Sequence, residues 1–297
     1  MSEYTVAVLG LGAMGLPMAT RLAGKLSVHG FDIDTSRLDL AAEAGILPFG
    51  SAVEAVRGAD AVLLAVRDGA QLEAVLFGPV GIVTALAPGS VVILTSTVGT
   101  DGIASVVDRL AGSGVELVDA PLSGGPLRAG QGDLLIVVGA SPAARHKAAP
   151  VLELLASTLT VVGDRPGDGQ ALKTVNQLLC GIHIAAAGEA LALASALGLD
   201  PRAALDALMS GAAASFMLGN RGPRMLEAYD DEGADVLSRL DIFVKDMGIV
   251  GKAARAVGLA TPVAAAAEQL YVIGKAHGLS ALDDSAVITV IAPHRVA

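Results

Sequence analysis

Residues 5–15 read Thr-Val-Ala-Val-Leu-Gly-Leu-Gly-Ala-Met-Gly, a short apolar run that breaks on a glycine and passes straight into a helix-compatible stretch. Gly10, Gly12 and Gly15 stand at the spacing GxGxxG, which is weak alone and gains meaning from a strand before it and a helix after it. Gly10 allows the tight turn, Gly12 lets the backbone approach a pyrophosphate, and Gly15 lets helix and strand pack closely. The N–H groups that open the helix then face the phosphates. Gly10, Leu11, Gly12, Ala13, Met14 and Gly15 are therefore candidate contacts for a nicotinamide dinucleotide, against the competing reading of a glycine-rich turn that binds nothing. Asp32 closes the next apolar run, where an acid accepts hydrogen bonds from the adenosine ribose. This favours NAD over NADP: the residue after Asp32 is Ile33, so the carboxylate stands uncompensated where a 2′-phosphate would lie. Arg37, a turn further on, reads as a solvated helix residue or as a cation able to swing in.

Outward from this stretch, apolar runs at 5–9, 27–32, 61–66, 91–95, 115–119, 134–138 and 159–162 alternate with helical patterns at 14–22, 36–44, 100–111 and 142–155. Parallel strands need crossovers of that length, so the first half predicts a doubly wound parallel sheet of Rossmann type. Residues 164–169, Asp-Arg-Pro-Gly-Asp-Gly, break the pattern, and everything beyond reads as helix: 170–196, 201–209, 238–257, 263–277 and a short tail from Asp283. The expected organisation is a dinucleotide-binding domain over 1–163 and an all-α substrate and oligomerisation domain over 164–297.

The composition narrows the function. A net charge of -10 without a basic cluster argues against nucleic acid or an anionic membrane as partner. One cysteine, Cys180, leaves no internal disulfide and no cysteine-based metal site, as in a reducing cytoplasm. The opening residues Met1-Ser2-Glu3-Tyr4 lack the basic region of a signal peptide. The stretch 178–199 is apolar enough to raise the question of a membrane span, but it contains His183 and Glu189 and reads better as a helix buried on all sides. Hydrophobic residues make up 53% of the chain, more than a monomer hides readily, so a homodimer or homotetramer is expected.

Three segments could carry chemistry. Residues 119–126, Asp-Ala-Pro-Leu-Ser-Gly-Gly-Pro, join a hydroxyl to bare glycine N–H groups and could cradle a carboxylate; they read equally as a strand-to-loop turn. Lys173 and Asn176 are three apart and share one helical face at the start of the long helix. A lysine taken out of water there loses part of its preference for the charged form, which suits a general base, whereas a solvated lysine at the helix mouth would do nothing. Lys245 and Asp246 are adjacent opposite charges in an apolar helix; they could be structural, yet adjacent helical residues point apart and need not satisfy each other.

Taken together, residues 10–19, 119–125, the Lys173/Asn176 pair and Lys-Asp-Met-Gly at 245–248 resemble the β-hydroxyacid dehydrogenase family over the whole chain. The resemblance implies that Lys173 is the general acid/base and that Asn176 holds the substrate beside it. It further implies that Ser123, Gly124 and Gly125 grip the substrate carboxylate and that Thr97 and Lys245 contact the cofactor. The family's Pro after the Ser-Thr stretch and its Leu-Pro after the third strand are missing, with Thr100 and Ala65-Val66 in those places.

Stretches at 175–179, 181–187, 220–225 and 283–287 resemble family members that act on L-threonate, which implies a four-carbon sugar acid as substrate. Asn220, Arg221 and Ser215 tilt the reading away from 3-hydroxyisobutyrate, whose methyl group wants an apolar pocket. That acid and tartronate semialdehyde remain alternative substrates, and a non-catalytic dinucleotide-binding scaffold is the alternative of another class.

Overall fold

The computed structural model describes residues 4–294, so Met1, Ser2 and Glu3, on which the leaderless expectation partly rests, lie outside the described residues. The chain forms two compact units, one ending at Lys173 and the other beginning at Thr174.

The first unit opens with β1 (Thr5–Leu9), α1 (Gly15–Ala23), β2 (Ser27–Phe31), α2 (Ser36–Glu43), the two-residue β3 (Leu47–Pro48) and α3 (Ala52–Ala55). It continues through β4 (Ala61–Leu64), α4 (Gly69–Phe77), β5 (Val91–Leu94), α5 (Ile103–Ala111) and β6 (Glu116–Asp119). Then come β7 (Leu122–Ser123), α6 (Gly125–Gln131), β8 (Leu134–Gly139), α7 (Pro142–Leu155) and β9 (Ala156–Gly163). Among the described residues these strands make one nine-stranded sheet, ordered β3-β2-β1-β4-β5-β6-β8-β7 with β9 on β8.

The run from β3 to β6 is parallel throughout and reverses its winding between β1 and β4, where doubly wound sheets leave a crevice beyond the carboxyl ends of their strands. Both faces are covered: Val6 and Val8 pack with Met18, Leu22 and Leu152, while Ala7 and Leu9 pack with Leu64, Leu76, Val92 and Leu110. Burial on both sides is why these strands read as unbroken apolar runs, each large side chain contributing about 1.5–3 kcal/mol.

The doubly wound parallel sheet expected from the sequence is present, with one departure: β8 runs antiparallel to β6 and β7. The chain leaves β7 into the single short helix α6 and returns along β8 in the opposite direction, so β8 lies antiparallel to both β7 and β6.

α8 (Asp168–Ala196) begins in the first unit and continues into the second. The second unit adds α9 (Pro201–Met209), α10 (Phe216–Glu227), α11 (Leu240–Ala256), α12 (Pro262–Ala276) and α13 (Ile288–Ile291). Its core gathers Ile184, Leu191, Met225, Phe243, Met247 and Tyr271. The fully buried Tyr271 stacks on Phe243 at 5.3 Å and donates its hydroxyl to the Gly181 carbonyl at 2.7 Å.

α10 is absent from the pattern read in the sequence. Gly219, Gly222 and Pro223 disguise it, and Ser215 starts it by accepting from the Leu218 N–H at 3.0 Å. The expectation that residues 178–199 are buried on all sides is also corrected. α8 is long and apolar enough to cross a membrane, yet only 39% of its most apolar window is buried. Leu179 and Leu193 are 49% and 59% exposed.

Candidate active site

The loops at the carboxyl ends of β1, β2, β4, β5 and β6 bring the candidate residues of the first unit to one edge of the sheet. After β1 the chain turns at Gly10, whose φ of +94° and whose missing Cβ, which would lie 2.5 Å from the Ala65 carbonyl oxygen, both demand glycine. Gly15 packs as closely on Gly10, so helix α1 starts directly beneath the turn. Asp32, buried just beyond β2, accepts from the Leu11 N–H at 2.6 Å and from the Asp34 N–H at 2.9 Å.

Arg37 Nη1 lies 3.3 Å from Asp32 Oδ2, and its Nε lies 3.5 Å from Asp34 Oδ2. The carboxylate is therefore not uncompensated, which corrects the sequence reading. One turn of α2 brings Arg37 back over the glycine loop, where a Cβ on Gly12 would meet its Nη1 at 3.0 Å. The Ser36 hydroxyl and N–H, more than Arg37, hold the Asp34 carboxyl below its ordinary value.

This edge fits a dinucleotide. The side-chain-free turn over β4 and the start of a nine-residue helix leave room and N–H donors for phosphates. The Asp32 carboxylate accepts three bonds and keeps capacity for one more, from a ribose hydroxyl.

At the end of β6 stands Asp119, fully buried, its carboxyl pushed up by burial against the hydrogen bonds that hold it down. Its Oδ2 accepts from the Gly167 and Gln170 N–H groups, both at 2.8 Å, and its Oδ1 from Gln170 Nε2 at 2.9 Å. A carboxylate is thus held at the positive end of a 29-residue helix, where the first turn's N–H groups lack partners.

Gln170, also fully buried, ties a third loop in. Its Oε1 accepts from the N–H groups of Val98 and Gly99 at 2.9 and 3.0 Å, and its Nε2 donates to the Ser96 carbonyl at 2.9 Å. Thr97 lies inside the loop so fastened. Neither Asp119 nor Gln170 carried a role in the sequence reading; the signal available was a glutamine one turn before Lys173 on an apolar helix.

That anchoring fixes Lys173, one turn along α8 and only 8% exposed. Its Nζ donates to the Ser123 hydroxyl at 3.0 Å. Ser123 ends β7, and Gly124 follows with a φ of +148°, where a Cβ would press 2.8 Å against Leu134. A buried amine, a hydroxyl and two glycines therefore share one corner, an arrangement in which the amine could take a proton from one polar group of a ligand while the hydroxyl binds another.

In the second unit, Asn176 Nδ2 donates to Gln177 Oε1 at 2.9 Å and to the Cys180 sulfur at 3.4 Å. Gln177 Nε2 in turn donates to Asp246 Oδ2. Lys245 Nζ lies 3.0 Å from Asp246 Oδ1, so of the two readings left open by the sequence these neighbours take the paired one.

The three donors expected to furnish a substrate pocket have other duties. Ser215 caps α10, Arg221 grips the buried Asp284 with two bonds at 3.0 and 2.8 Å, and the Asn220 amide oxygen accepts from Arg221 at 2.7 Å. Burial pushes the Asp284 carboxyl up, against the pull of Arg221. Among the described residues no cluster of three or more His, Cys, Asp or Glu side chains is placed to hold a metal ion.

Residues 5–163 match the NAD binding domain of 6-phosphogluconate dehydrogenase, and residues 167–291 match the NAD-binding segment of NADP-dependent 3-hydroxyisobutyrate dehydrogenase. The chain is 38% identical to L-threonate dehydrogenase of Cupriavidus necator, covering 96% of this chain and 95% of that one. It is 33% identical to 2-hydroxy-3-oxopropionate reductase of Escherichia coli, covering 97% and 98%. The crystal structure of 3-hydroxyisobutyrate dehydrogenase from Salmonella typhimurium superposes with a TM-score of 0.88 at 34% identity, covering 97% of this chain and 100% of that one. A nicotinamide dinucleotide fold, an oxidoreductase's relatives and a match running nearly end to end make the chain a member of the β-hydroxyacid dehydrogenase family, enzymes that act on the CH–OH group of hydroxyacids.

Proposed function

We propose that this enzyme oxidises a short hydroxyacid with NAD, and that its substrate is a four-carbon sugar acid such as L-threonate. The observation that carries the reading is the Lys173 amine, buried and 3.0 Å from Ser123 at the sheet edge that bears the dinucleotide turn. Bound nicotinamide supplies the acceptor for the hydride that leaves the carbinol carbon. Lys173 Nζ takes the hydroxyl proton, and a base so placed accounts for a rate factor of roughly 10²–10⁴. Ser123 with the N–H groups of Gly124 and Gly125 binds the substrate carboxylate, and Asn176 holds the substrate from the next turn of α8.

Gly10 to Gly15 and Asp32 would hold the dinucleotide, with Thr97 and Lys245 as further contacts on the strength of the family resemblance. NAD is favoured because Arg37 is shared between Asp32 and Asp34, so a 2′-phosphate would have to compete with two carboxylates for the same guanidinium. The exposed apolar side chains of α8 support a homodimer or homotetramer, and the single thiol suits a reducing cytoplasm.

The decisive experiment is an absorbance assay of C3 and C4 hydroxyacids with NAD and NADP. Preference for L-threonate with NAD is expected. Preference for 3-hydroxyisobutyrate or for reduction of tartronate semialdehyde would reassign the substrate, and dinucleotide binding without turnover of any hydroxyacid would make the chain a scaffold.

A further inference from the structure

We infer that Gln177 and Asp246 are positioning residues that hold the Asn176 amide with its oxygen outward, so that Asn176 accepts a hydrogen bond from a second hydroxyl of the substrate. The inference rests on the proposal that Asn176 meets the substrate, and it deepens it by naming what the substrate must carry.

The orientation follows from counting donors and acceptors along one chain of contacts. Asp246 is 3% exposed, faces the Lys245 ammonium at 3.0 Å and can only accept. Gln177, 7% exposed, must therefore turn its nitrogen to Asp246 and its oxygen away. That oxygen can only accept, so Asn176 must turn its nitrogen to Gln177, at 2.9 Å. The second proton on that nitrogen goes to the Cys180 sulfur at 3.4 Å. Both amide protons are then spent, and what Asn176 has left to offer is the lone pairs of Oδ1. An amide that could otherwise flip freely is locked by a charge two residues along the chain of bonds.

The consequence is chemical. An alcohol has one proton to donate, and in the proposed reaction the reacting hydroxyl gives it to Lys173. The same hydroxyl has none for Asn176, so an outward Oδ1 reads a different hydroxyl. A monohydroxy acid leaves this acceptor unmatched, whereas a dihydroxy or trihydroxy acid satisfies it.

The test is a double-mutant cycle of Asn176→Asp and Asp246→Asn, read by melting temperature and by steady-state kinetics. Asn176→Asp sets a carboxylate against the Gln177 oxygen and should lower the melting temperature. Asp246→Asn lets Gln177 turn over and donate to that carboxylate, so the double variant should melt above Asn176→Asp alone. In the parent, replacing the second hydroxyl of the substrate by hydrogen should raise KM by about tenfold or more with kcat less affected, and Asp246→Asn should shrink that ratio severalfold.

Additive melting shifts, or a ratio that Asp246→Asn leaves unchanged, overturn the inference. If Asp246→Asn fails to fold, Gln177→Met, which keeps the volume and deletes the relay, must shrink the same ratio or the inference falls. A parent that oxidises no hydroxyacid would sink the proposed function separately, while the melting cycle would still decide whether the amide is locked.

Discussion

Lys173 and Ser123 are fifty residues apart in the chain and 3.0 Å apart at their polar ends. The contact exists because Asp119, four residues before Ser123, caps the helix that carries Lys173. Lys173→Ala should leave NADH binding nearly intact while kcat falls by roughly two to four orders of magnitude. Fluorescence titration and steady-state kinetics check both halves, and ordinary turnover in that variant removes the amine from its role. Ser123→Ala should act mainly on KM.

Cofactor choice turns on two residues. Asp32→Ala deletes a ribose acceptor and releases Arg37 toward a 2′-phosphate, so the preference for NAD over NADP should narrow, as measured by dissociation constants for the two reduced cofactors. Asp32→Ala with Arg37→Ala should lose the gain in NADPH affinity but not recover NADH affinity. A ratio unmoved by Asp32→Ala would place discrimination elsewhere.

Gln170→Leu tests the anchoring of α8. It strips the partners of two backbone N–H groups and one carbonyl and removes a donor to Asp119. Leaving a buried polar group unmatched costs about 1–3 kcal/mol each, so a loss of about 3 kcal/mol or more is expected in urea titrations. Turnover should fall with it, since Lys173 follows on the same face. A variant as stable as the parent would show the network to be dispensable.

Arg221 offers a test between ligand and brace. Arg221→Leu strands the fully buried Asp284 and should cost about 3–5 kcal/mol, much of it recovered when Asp284→Leu is added. A guanidinium serving the substrate would instead raise KM without lowering the melting temperature.

Tyr4 sets an alkaline limit. Burial, then the Asp60 charge, pushes its hydroxyl up to about 12 from an ordinary 10.0, and it donates to the Lys147 carbonyl at 2.7 Å. Because the folded value is raised, this contribution is fully present below the unfolded value and drains away as pH climbs through the folded one. Stability should fall across that window, and Tyr4→Phe should flatten the fall in denaturant titrations at stepped pH.

The turn at residues 5–15 was legible because strand, glycine spacing and helix lie side by side in the sequence. So were the parallel strands, whose two-sided burial writes unbroken apolar runs. What escaped notice depends on partners far along the chain. Arg221 reads as a ligand donor until Asp284, 63 residues on, is seen to occupy it. Arg37 reads as solvated until a turn of helix returns it to Asp32. β8 reads as one more parallel strand, since direction is decided by a two-residue pairing partner that no periodicity reveals. Asp119 looks like a member of the carboxylate-binding loop, and its service to a helix start becomes visible only when residues 167–170 arrive beside it.

The cap that Asp119 places on α8 also says where the enzyme can be recombined. Because Lys173 follows Gln170, which is tied to the ends of two strands, β5 and β6, a chimera spliced after position 173 would take the Lys173 amine from the same parent as its dinucleotide turn, and Asn176, with its Gln177 and Asp246 partners, from the other. Splicing at 164 instead would set one parent's Gln170 against another parent's Asp119, and would unfasten the amine before any question of substrate arose.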